Sequence, residues 1–281
     1  PKVIRQDRLV VVDESDRCDN PIFLIGCHRA GTTLVRQIVD SHSHITCPPE
    51  TFFLLDFEKG AQSRLFFEGL SALGFDRAGA MAGLRHAASY YIEAYRRNKH
   101  KPRWAEKTPS YAFILPFLDE LFGEKTRFVM IYRFPLDIVD SLRRLEWNFG
   151  DYDPDPFMNK CRYVAAVIEK QLAFAEAHRD KCFSLYYEQL THEPEAVLRP
   201  LFEFLGEPWE PQVLDFNRQK HDFGLGDHNA QVYKTFKPSM DNWKHWPTED
   251  QRRAFEVLDP WLTRLGYTRD GAASIRERTA T

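Results

Sequence analysis

The sequence predicts an α/β protein built on a P-loop-like parallel β-sheet with helices on both faces. Short apolar runs alternate with helical patterns along the chain, and this alternation is typical of a parallel sheet covered on both sides. The first apolar run, at 21–25, leads through a glycine loop into a helix, which is the layout of a phosphate site. The 281 residues suit one large α/β domain or two small ones, and we expect a single domain over 1–281 with its core at about 21–267.

The individual elements are predicted from hydrophobic periodicity. Buried strands are expected at 21–25, 127–132 and 182–186, where apolar residues run without alternation. Helices are expected at about 32–41, 77–98, 109–122, 156–178, 194–205 and 248–265, and Pro135 opens one more. Gly206 and Gly266 follow two of these helices, in the position that favours helix termination. We also expect a loop at 146–157, further strands in the sheet, and a frayed polar tail after 270.

Composition narrows the functional classes. The net charge of −3 argues against a general nucleic-acid binder, which needs a basic surface, but it is compatible with a local basic pocket for a small anion. The five cysteines include no C-x-x-C pair, which favours free thiols in a reducing compartment over disulfides or zinc. No apolar run reaches the roughly 18 residues of a membrane span, and the first residues lack the apolar core of a signal peptide. We therefore expect a cytoplasmic protein that binds no metal.

The glycine loop at 26–33 is the first motif that carries chemistry. It has the length of a Walker loop, but Thr32 stands where that loop has a lysine for the β- and γ-phosphates, so ATP and GTP are poor candidates. Backbone N–H groups, two hydroxyls and a helix N-terminus still offer an anion site, and Arg29 adds a fixed cation. The alternative is an ordinary strand-to-helix turn in which Gly-Thr-Thr caps the helix.

A second motif lies about a hundred residues further on. Arg133 directly follows the strand at 127–132, and Ser141 comes eight residues later on the next helix. A guanidinium at the carboxyl end of a parallel strand is a natural phosphate ligand, because its geometry matches phosphate oxygens and ligands bind at that sheet edge. Taken alone, the pair is better explained as a solvated arginine and a serine on a helix surface.

Together the two motifs resemble those of the sulfotransferase family that uses 3′-phosphoadenosine-5′-phosphosulfate (PAPS), particularly its tyrosylprotein and bacterial small-molecule branch. In that family an R-S-G-T-T-L loop grips the 5′-phosphosulfate, and this chain has Arg29-Ala30-Gly31-Thr32-Thr33-Leu34, with Ala30 in place of a frequent serine. The family's second motif places an arginine and a serine, eight residues apart, on the 3′-phosphate, as Arg133 and Ser141 are spaced. Further matches at 105–109, 187–190 and 265–267 extend the resemblance over about 21–267 and imply the sulfotransferase fold.

The resemblance implies transfer of a sulfuryl group from PAPS to a hydroxyl or amine of a small-molecule acceptor, with adenosine 3′,5′-bisphosphate (PAP) as product. Negative charge builds on the leaving phosphate during this displacement, so cations there lower the barrier. Arg29 is the first candidate for that role and Lys107, in a K-x-P setting comparable to the tyrosylprotein branch, is the second. By the same resemblance Tyr187 lies near the adenosine, and Lys237 belongs to a lid over the nucleotide at 233–238.

The acceptor must lose a proton, which calls for a general base. The segment Cys47-Pro48-Pro49-Glu50-Thr51 resembles a C-G-E-E-T motif of the tyrosylprotein branch in which the second glutamate is the base, and it keeps the spacing of 21 residues from Arg29 to Glu50. Two prolines replace the glycine and first glutamate, and the alternative for Glu50 is a cap on a helix beginning at Thr51. Histidine is the base in another branch of the family, which makes His28, His42 and His44 the rival candidates.

The loop at 146–157 is the candidate acceptor site. It holds four carboxylates and four aromatic rings and has no Lys, Arg or His. It follows the helix that bears Ser141, so it should lie beside the donor, and such a surface suits a cationic guest through cation–π contact and charge pairing. A cationic natural product is therefore the preferred acceptor. The alternative is a solvated acidic loop that covers nothing.

Two other functional classes remain at this point. A P-loop kinase-like phosphotransferase would share the strand–loop–helix layout but needs the lysine that Thr32 replaces. A non-catalytic nucleotide-binding or scaffold protein would share the anion site but would need neither Glu50 nor Lys107.

Overall fold

Five parallel strands form the sheet of this computed structural model, which describes residues 17–145, 147, 149–224, 235–236 and 239–271. The strands are β1 (Ile22–Gly26), β2 (Ile45–Thr46), β3 (Arg103–Glu106), β4 (Arg127–Tyr132) and β5 (Cys182–Tyr186). Their order across the sheet is β2-β3-β1-β4-β5, and every neighbouring pair is parallel. The predicted α/β class with a parallel sheet is confirmed.

The central strand β1 explains where the functional loops meet. It lies between β3 and β4 and is buried along its whole length, as a continuous apolar run in a doubly covered sheet should be. Its last residue, Gly26, pairs with Ile131 near the end of β4. Because the strands are parallel, the segments that leave β1, β3 and β4 emerge at one carboxyl edge, which is where ligands bind in such sheets.

Ten α-helices lie within the described part of the chain. They are α1 (Thr32–Asp40), α2 (Leu54–Gln62), α3 (Arg64–Ala72), α4 (Arg77–Asn98), α5 (Leu115–Phe122), α6 (Pro135–Arg143), α7 (Pro156–Ala177), α8 (Tyr187–His192), α9 (Pro194–Leu205) and α10 (Thr248–Leu265). Helix α1 packs against β1, and α7 packs against β1, β4, α6 and α10. Gly206 and Gly266 end α9 and α10 in the left-handed conformation that favours glycine.

One predicted helix is wrong in its extent. The helix expected at 109–122 is a 3₁₀ turn, Pro109–Phe113, followed by α5, with Ile114 at the break. A continuous helix would place the ring of Pro116 against the carbonyl of Ala112, four residues earlier, so the chain restarts its helix just before this proline.

Periodicity also missed two strands and three helices. Strand β2 has only two residues, and β3 carries Arg103 and Glu106, which interrupt any apolar run. These charges are nevertheless buried because they have partners; the Nε of Arg103, for example, donates to the carbonyl of Asn20 at 2.6 Å. Helices α2, α3 and α8 are short, and α3 has no buried residue to create an apolar face.

Glu188 links the carboxyl edge of the sheet to the segment that follows α10. This buried carboxylate accepts from the backbone N–H of Phe134 at 2.8 Å and from the hydroxyl of Tyr267 at 2.7 Å. Burial raises the pKa of Glu188, and the two hydrogen bonds counteract that effect. Tyr267, two residues after the end of α10, is therefore linked through Glu188 to Phe134, the residue next to Arg133.

The structure also describes the cysteines and the helices that bear on disulfides and membrane spans. The five cysteine thiols are unpaired, and four of them are buried. Among the residues that the structure describes, we find no helix with the length and apolar character needed to cross a bilayer.

Candidate active site

The phosphate loop turns sharply between β1 and α1. Arg29 has φ +71° and Gly31 has φ +95°, both in the left-handed region, and α1 begins at the next residue, Thr32. Gly31 has no side chain with which to cap the helix, so the N–H groups of its first turn face the loop. A Cβ on Gly31 would lie 2.5 Å from Cδ2 of Tyr187, which shows how closely that ring covers the loop.

Arg133 connects the second motif to this loop. Its Nη1 donates to the carbonyl of Arg29 at 2.6 Å, and its guanidinium carbon lies 4.7 Å from the centroid of the Tyr187 ring. Its Nη2 donates to the carbonyl of Ser239. The guanidinium therefore fixes the left-handed turn at Arg29 and stacks on the same ring that packs over Gly31.

Arg29 itself reaches the second motif. Its Nε donates to the hydroxyl of Ser141 at 2.8 Å, across 112 residues of sequence. Arg29, Gly31, Arg133, Ser141 and Tyr187 thus form one cluster, which we call the donor cluster.

Four further residues were predicted to bind the nucleotide, and three of them lie in the phosphate loop. Ala30 and Thr32 are buried and Thr33 is half-buried in the same loop. Lys237 lies outside the described residues, together with most of the predicted lid at 233–238.

Glu50 and Lys107 form a buried ion pair beside the donor cluster. The Lys107 side chain is fully buried and that of Glu50 is 6% exposed, and the Lys107 ammonium donates to the Glu50 carboxylate. The same ammonium lies 3.4 Å from the hydroxyl of Thr33 in the phosphate loop. A lone buried charge would be very costly, so each member of the pair requires the other.

This geometry excludes a surface position for Lys107 and a helix-capping role for Glu50. Lys107 is not a surface lysine, since it is fully buried directly after β3. Glu50 is not a helix cap, because α2 begins only at Leu54 and the residue before it is Phe53.

The rival base His28 lies within the site, where its ring is bound to Tyr163. Its Nδ1 is hydrogen-bonded to the hydroxyl of Tyr163 at 2.6 Å. Burial lowers the pKa of His28 to about 4, and the nearby cations Lys107 and Arg29 add to this effect. The imidazole is therefore neutral and weakly basic at neutral pH.

The other two histidines lie elsewhere. Helix α1 has nine residues, which separate His42 from the phosphate loop by about 14 Å. The Nε2 of His42 is hydrogen-bonded to the carbonyl of Pro208 at 2.9 Å, and its Nδ1 accepts from the N–H of His44. His44 is hydrogen-bonded to Glu207 at 2.9 Å.

His42, His44 and Glu207 lie close enough together for a metal ion to be considered. Both ring nitrogens of His42 are occupied by backbone groups, however, and Glu207 also binds Arg103 at 3.0 Å. This arrangement fits a polar contact between α1 and the segment after α9 better than a metal centre.

The aromatic residues after α6 pack against the phosphate loop. The ring of His28 lies 5.4 Å from that of Phe149 and 5.9 Å from that of Trp147, measured between centroids. Phe149 stacks on Tyr163 at 4.5 Å, and Trp147 remains 41% exposed. We call Trp147, Phe149 and Tyr163 the aromatic wall. The alternative was that the loop at 146–157 covers nothing, and it is wrong for Trp147 and Phe149, which pack against His28.

Two carboxylates of the loop, Asp153 and Asp155, have partners within the fold. Asp155 caps α7 by accepting from the N–H groups of Phe157 and Met158, and it pairs with Arg253. Asp153 pairs with Arg162 at 2.8 Å. Asp151 is exposed. Two of the predicted acceptor-binding charges are thus already neutralised in the fold.

A model described as the sulfotransferase family matches residues 21–211 of this chain. The chain belongs to the sulfotransferase family. The kinase-like alternative is therefore wrong, and the prediction of a sulfotransferase enzyme is confirmed.

Curated relatives and solved structures agree with this membership. Protein-tyrosine sulfotransferase A of Caenorhabditis elegans is 26% identical over 271 residues, which cover 91% of this chain and 69% of that protein. A protein of Aquifex aeolicus described as uncharacterized is 28% identical over 240 residues, 80% of this chain, and the chain spans 30% of its length.

Among solved structures, the sulfotransferase domain from the Synechococcus PCC 7002 olefin synthase has a TM-score of 0.61 at 20% identity, covering 87% of this chain and 95% of that one. The sulfotransferase domain from the curacin biosynthetic pathway has a TM-score of 0.60 at 22% identity, covering 90% of this chain and 99% of that one. Mouse sulfotransferase SULT7A1 complexed with PAP has a TM-score of 0.53 at 14% identity, covering 88% of this chain and 86% of that one. These likenesses confirm the sulfotransferase fold.

Glu106 and Thr108 are the site residues that the sequence patterns did not single out. They flank Lys107 in Glu-Lys-Thr-Pro, a segment that the family resemblance covers, and both are fully buried. The available signal was a carboxylate directly before a candidate catalytic lysine and a threonine directly after it.

Replacing Gly31 with alanine tests how tightly Tyr187 fits on the loop. The added Cβ would clash with the ring and would sit on a backbone with φ +95°, so the free energy of unfolding should fall by more than about 1 kcal/mol. Gly83→Ala is the matched control, because nothing lies within 4 Å of a Cβ added there in α4, and it should raise that energy by about 1 kcal/mol. Equal effects of the two changes in urea denaturation would contradict the close packing.

Proposed function

We propose that the protein transfers a sulfuryl group from PAPS to a hydroxyl or amine of a small-molecule acceptor and releases PAP. The observation that carries this proposal is the buried Glu50–Lys107 pair placed against Thr33 of the phosphate loop. Sulfuryl transfer needs a base for the acceptor and a cation for the leaving phosphate, and the pair supplies both at one anion site. A non-catalytic nucleotide-binding protein would have no use for two buried charges at this position.

The donor cluster supports PAPS as the donor. The N-terminus of α1 and the loop N–H groups would hold the 5′-phosphosulfate, as such helix ends hold anions. Arg133 and Ser141 would bind the 3′-phosphate, and Tyr187 would lie beside the adenosine. The PAP named in the mouse SULT7A1 structure is compatible with this arrangement. All of these contacts are supplied by protein groups, and we propose no metal.

The catalytic step follows from the positions of three side chains. Glu50 takes the proton of the acceptor hydroxyl as the acceptor oxygen bonds to sulfur, and the bond from sulfur to the leaving phosphate oxygen breaks. Lys107 stabilises the charge that develops on that phosphate oxygen, because its ammonium already lies between Glu50 and Thr33. Arg29 adds a second cation once its guanidinium turns from Ser141 toward the phosphosulfate.

A cationic small molecule is the proposed acceptor, and the aromatic wall supports it. Trp147 presents an exposed ring next to the phosphate loop, and Asp151 is an exposed carboxylate in the same segment. A guanidinium or ammonium group can bind such a ring by cation–π contact. A tyrosine side chain is the second candidate, since protein-tyrosine sulfotransferases are among the relatives of the chain. The unpaired thiols support a cytoplasmic location.

Glu50→Gln removes the base but keeps the size of the side chain. Turnover of PAPS with a hydroxyl acceptor should fall by roughly 10²- to 10⁴-fold, the usual cost of losing a general base. The measurement is the mass of sulfated product from PAPS and a panel of acceptors that includes a tyrosine peptide. PAP should still bind, because Glu50 is not assigned to the donor and the Lys107 ammonium that the variant leaves unpaired lies beside the phosphate loop. Glu68→Gln, at an exposed position of α3, is the control. Near-parental turnover of Glu50→Gln would assign the base to another residue.

The acceptor class is tested with Trp147→Ala. The Michaelis constant of a cationic acceptor should rise about two- to fivefold, since exposed cation–π contacts are weak, while PAP binding is unchanged. Asp151→Asn should act in the same direction. Asp153 and Asp155 are unsuitable for this test because their substitution would disturb Arg162, Arg253 and the cap of α7. If every active acceptor proved neutral or anionic, the cationic class would be wrong.

A further inference from the structure

A chain of hydrogen bonds ends on the carboxylate of Glu106. Its Oε1 lies 2.7 Å from the hydroxyl of Thr108 and 3.0 Å from the hydroxyl of Thr51. The backbone N–H of Thr51 donates to the Thr108 hydroxyl oxygen at 3.1 Å. The hydroxyl of Tyr111 lies 3.0 Å from that of Thr51 and accepts from the N–H of Leu54 at 3.1 Å. The network therefore joins the segment after Glu50 to the segment around Lys107.

Two backbone donors set the direction of this network. The N–H of Leu54 can only donate, so the Tyr111 oxygen accepts there and its hydroxyl hydrogen is available to Thr51. Thr51 and Thr108 then each direct their own hydroxyl hydrogen to Glu106. Every donor thus leads toward Oε1 of Glu106, and this oxygen is the acceptor on which the whole network depends.

The network lies directly beside the Glu50–Lys107 ion pair in sequence. Thr51 directly follows Glu50, and Lys107 directly follows Glu106. We infer that Glu106 is a positioning residue, which orients the Glu50–Lys107 pair toward the phosphate loop through Thr51 and Thr108. This inference rests on the proposed function, because it assigns Glu106 a role in the geometry of that same reaction. Glu106 does not itself touch the reacting groups.

The second carboxylate oxygen of Glu106 separates this role from that of a base. Among the described residues, Oε2 is buried and has no hydrogen-bond partner. Burial raises the pKa of Glu106 to about 7, with Glu50 adding to the rise, so a proton can reside on Oε2 near neutral pH. Such a proton leaves both hydrogen bonds to Oε1 intact. A glutamine should therefore replace Glu106 in the network, since its amide oxygen can accept the same two hydroxyls.

Substitutions at Glu106 and Thr108 test the inference. Glu106→Ala should lower kcat by about 10- to 100-fold, as misplacement of a catalytic group by about 1 Å does, and leave the affinity for PAP within about twofold. Glu106→Gln should restore kcat to within about threefold of the parent. Thr108→Val, which removes one donor to Glu106 and the acceptor for Thr51, should behave like Glu106→Ala and covers the case in which the alanine variant does not fold.

A second measurement follows the network without any turnover. The amides of Thr51 and Leu54 are hydrogen-bonded within it, so Glu106→Ala should speed their hydrogen exchange and Glu106→Gln should not. Glu93→Ala and Glu93→Gln are the matched controls. Glu93 is equally buried, but its partners are Arg96, Cys18 and Trp104 at 2.7, 3.0 and 2.9 Å, and none of them belongs to the Thr51 network. Loss of Glu93 therefore also leaves a buried charge unpaired, yet kcat and the exchange of Thr51 should stay at the parental level in the variants that fold.

The possible outcomes are distinct. Parental kcat in Glu106→Ala together with faster exchange at Thr51 would make the network merely structural and overturn the inference. A Glu106→Gln variant as inactive as Glu50→Gln would also overturn it, because Glu106 would then exchange the proton itself. Failure of the parent protein to produce any sulfated product from PAPS would instead contradict the proposed function, whereas an active parent with a tolerant Glu106 contradicts only the positioning role.

Discussion

The buried ion pair between Glu50 and Lys107 is the interaction around which the site is organised. Two charges removed from water cost several kcal/mol each, and their attraction offsets this only when geometry and neighbouring hydrogen bonds are favourable. The surroundings meet that condition, because Thr33 contacts the ammonium and the Glu106 network holds the chain beside the carboxylate. A protein selected for stability alone would have no reason to bury these charges, and such local costs are typical of functional sites.

Sheet topology brings the two halves of the site together. The phosphate loop leaves β1, Lys107 follows β3 and Arg133 follows β4, and β1 lies between the other two strands. Because the strands are parallel, the N-terminus of α1, the Lys107 ammonium and the Arg133 guanidinium all lie at the same edge of the sheet. Tyr187 closes this edge from β5 by packing on Gly31 and on Arg133. The donor cluster and the ion pair meet at Thr33, which is a member of the loop.

The sequence predicted what depends on local spacing. The strand–loop–helix unit and the Arg133–Ser141 pair were visible because each lies within about twenty residues of sequence, and Gly206 and Gly266 act as helix ends by local geometry. Contacts between distant segments were not visible: Arg29 turns to Ser141, and His28 is neutralised by burial and by Lys107. The ion pairs of Asp153 and Asp155 were not foreseen because their partners, Arg162 and Arg253, come from α7 and α10. Charged β3 was missed because burial of Glu106 depends on tertiary partners.

The most direct test of the central claim compares two nucleotides by isothermal titration calorimetry. If this edge of the sheet recognises a 3′-phosphorylated adenosine nucleotide, PAP should bind, and ADP should bind at least about tenfold more weakly because it lacks the phosphate assigned to Arg133 and Ser141. Arg133→Ala should remove that preference, whereas Arg252→Ala, at a solvent-exposed ion pair in α10, should preserve it. Equal affinity for PAP and ADP in the parent protein, or an unchanged preference in Arg133→Ala, would contradict the account.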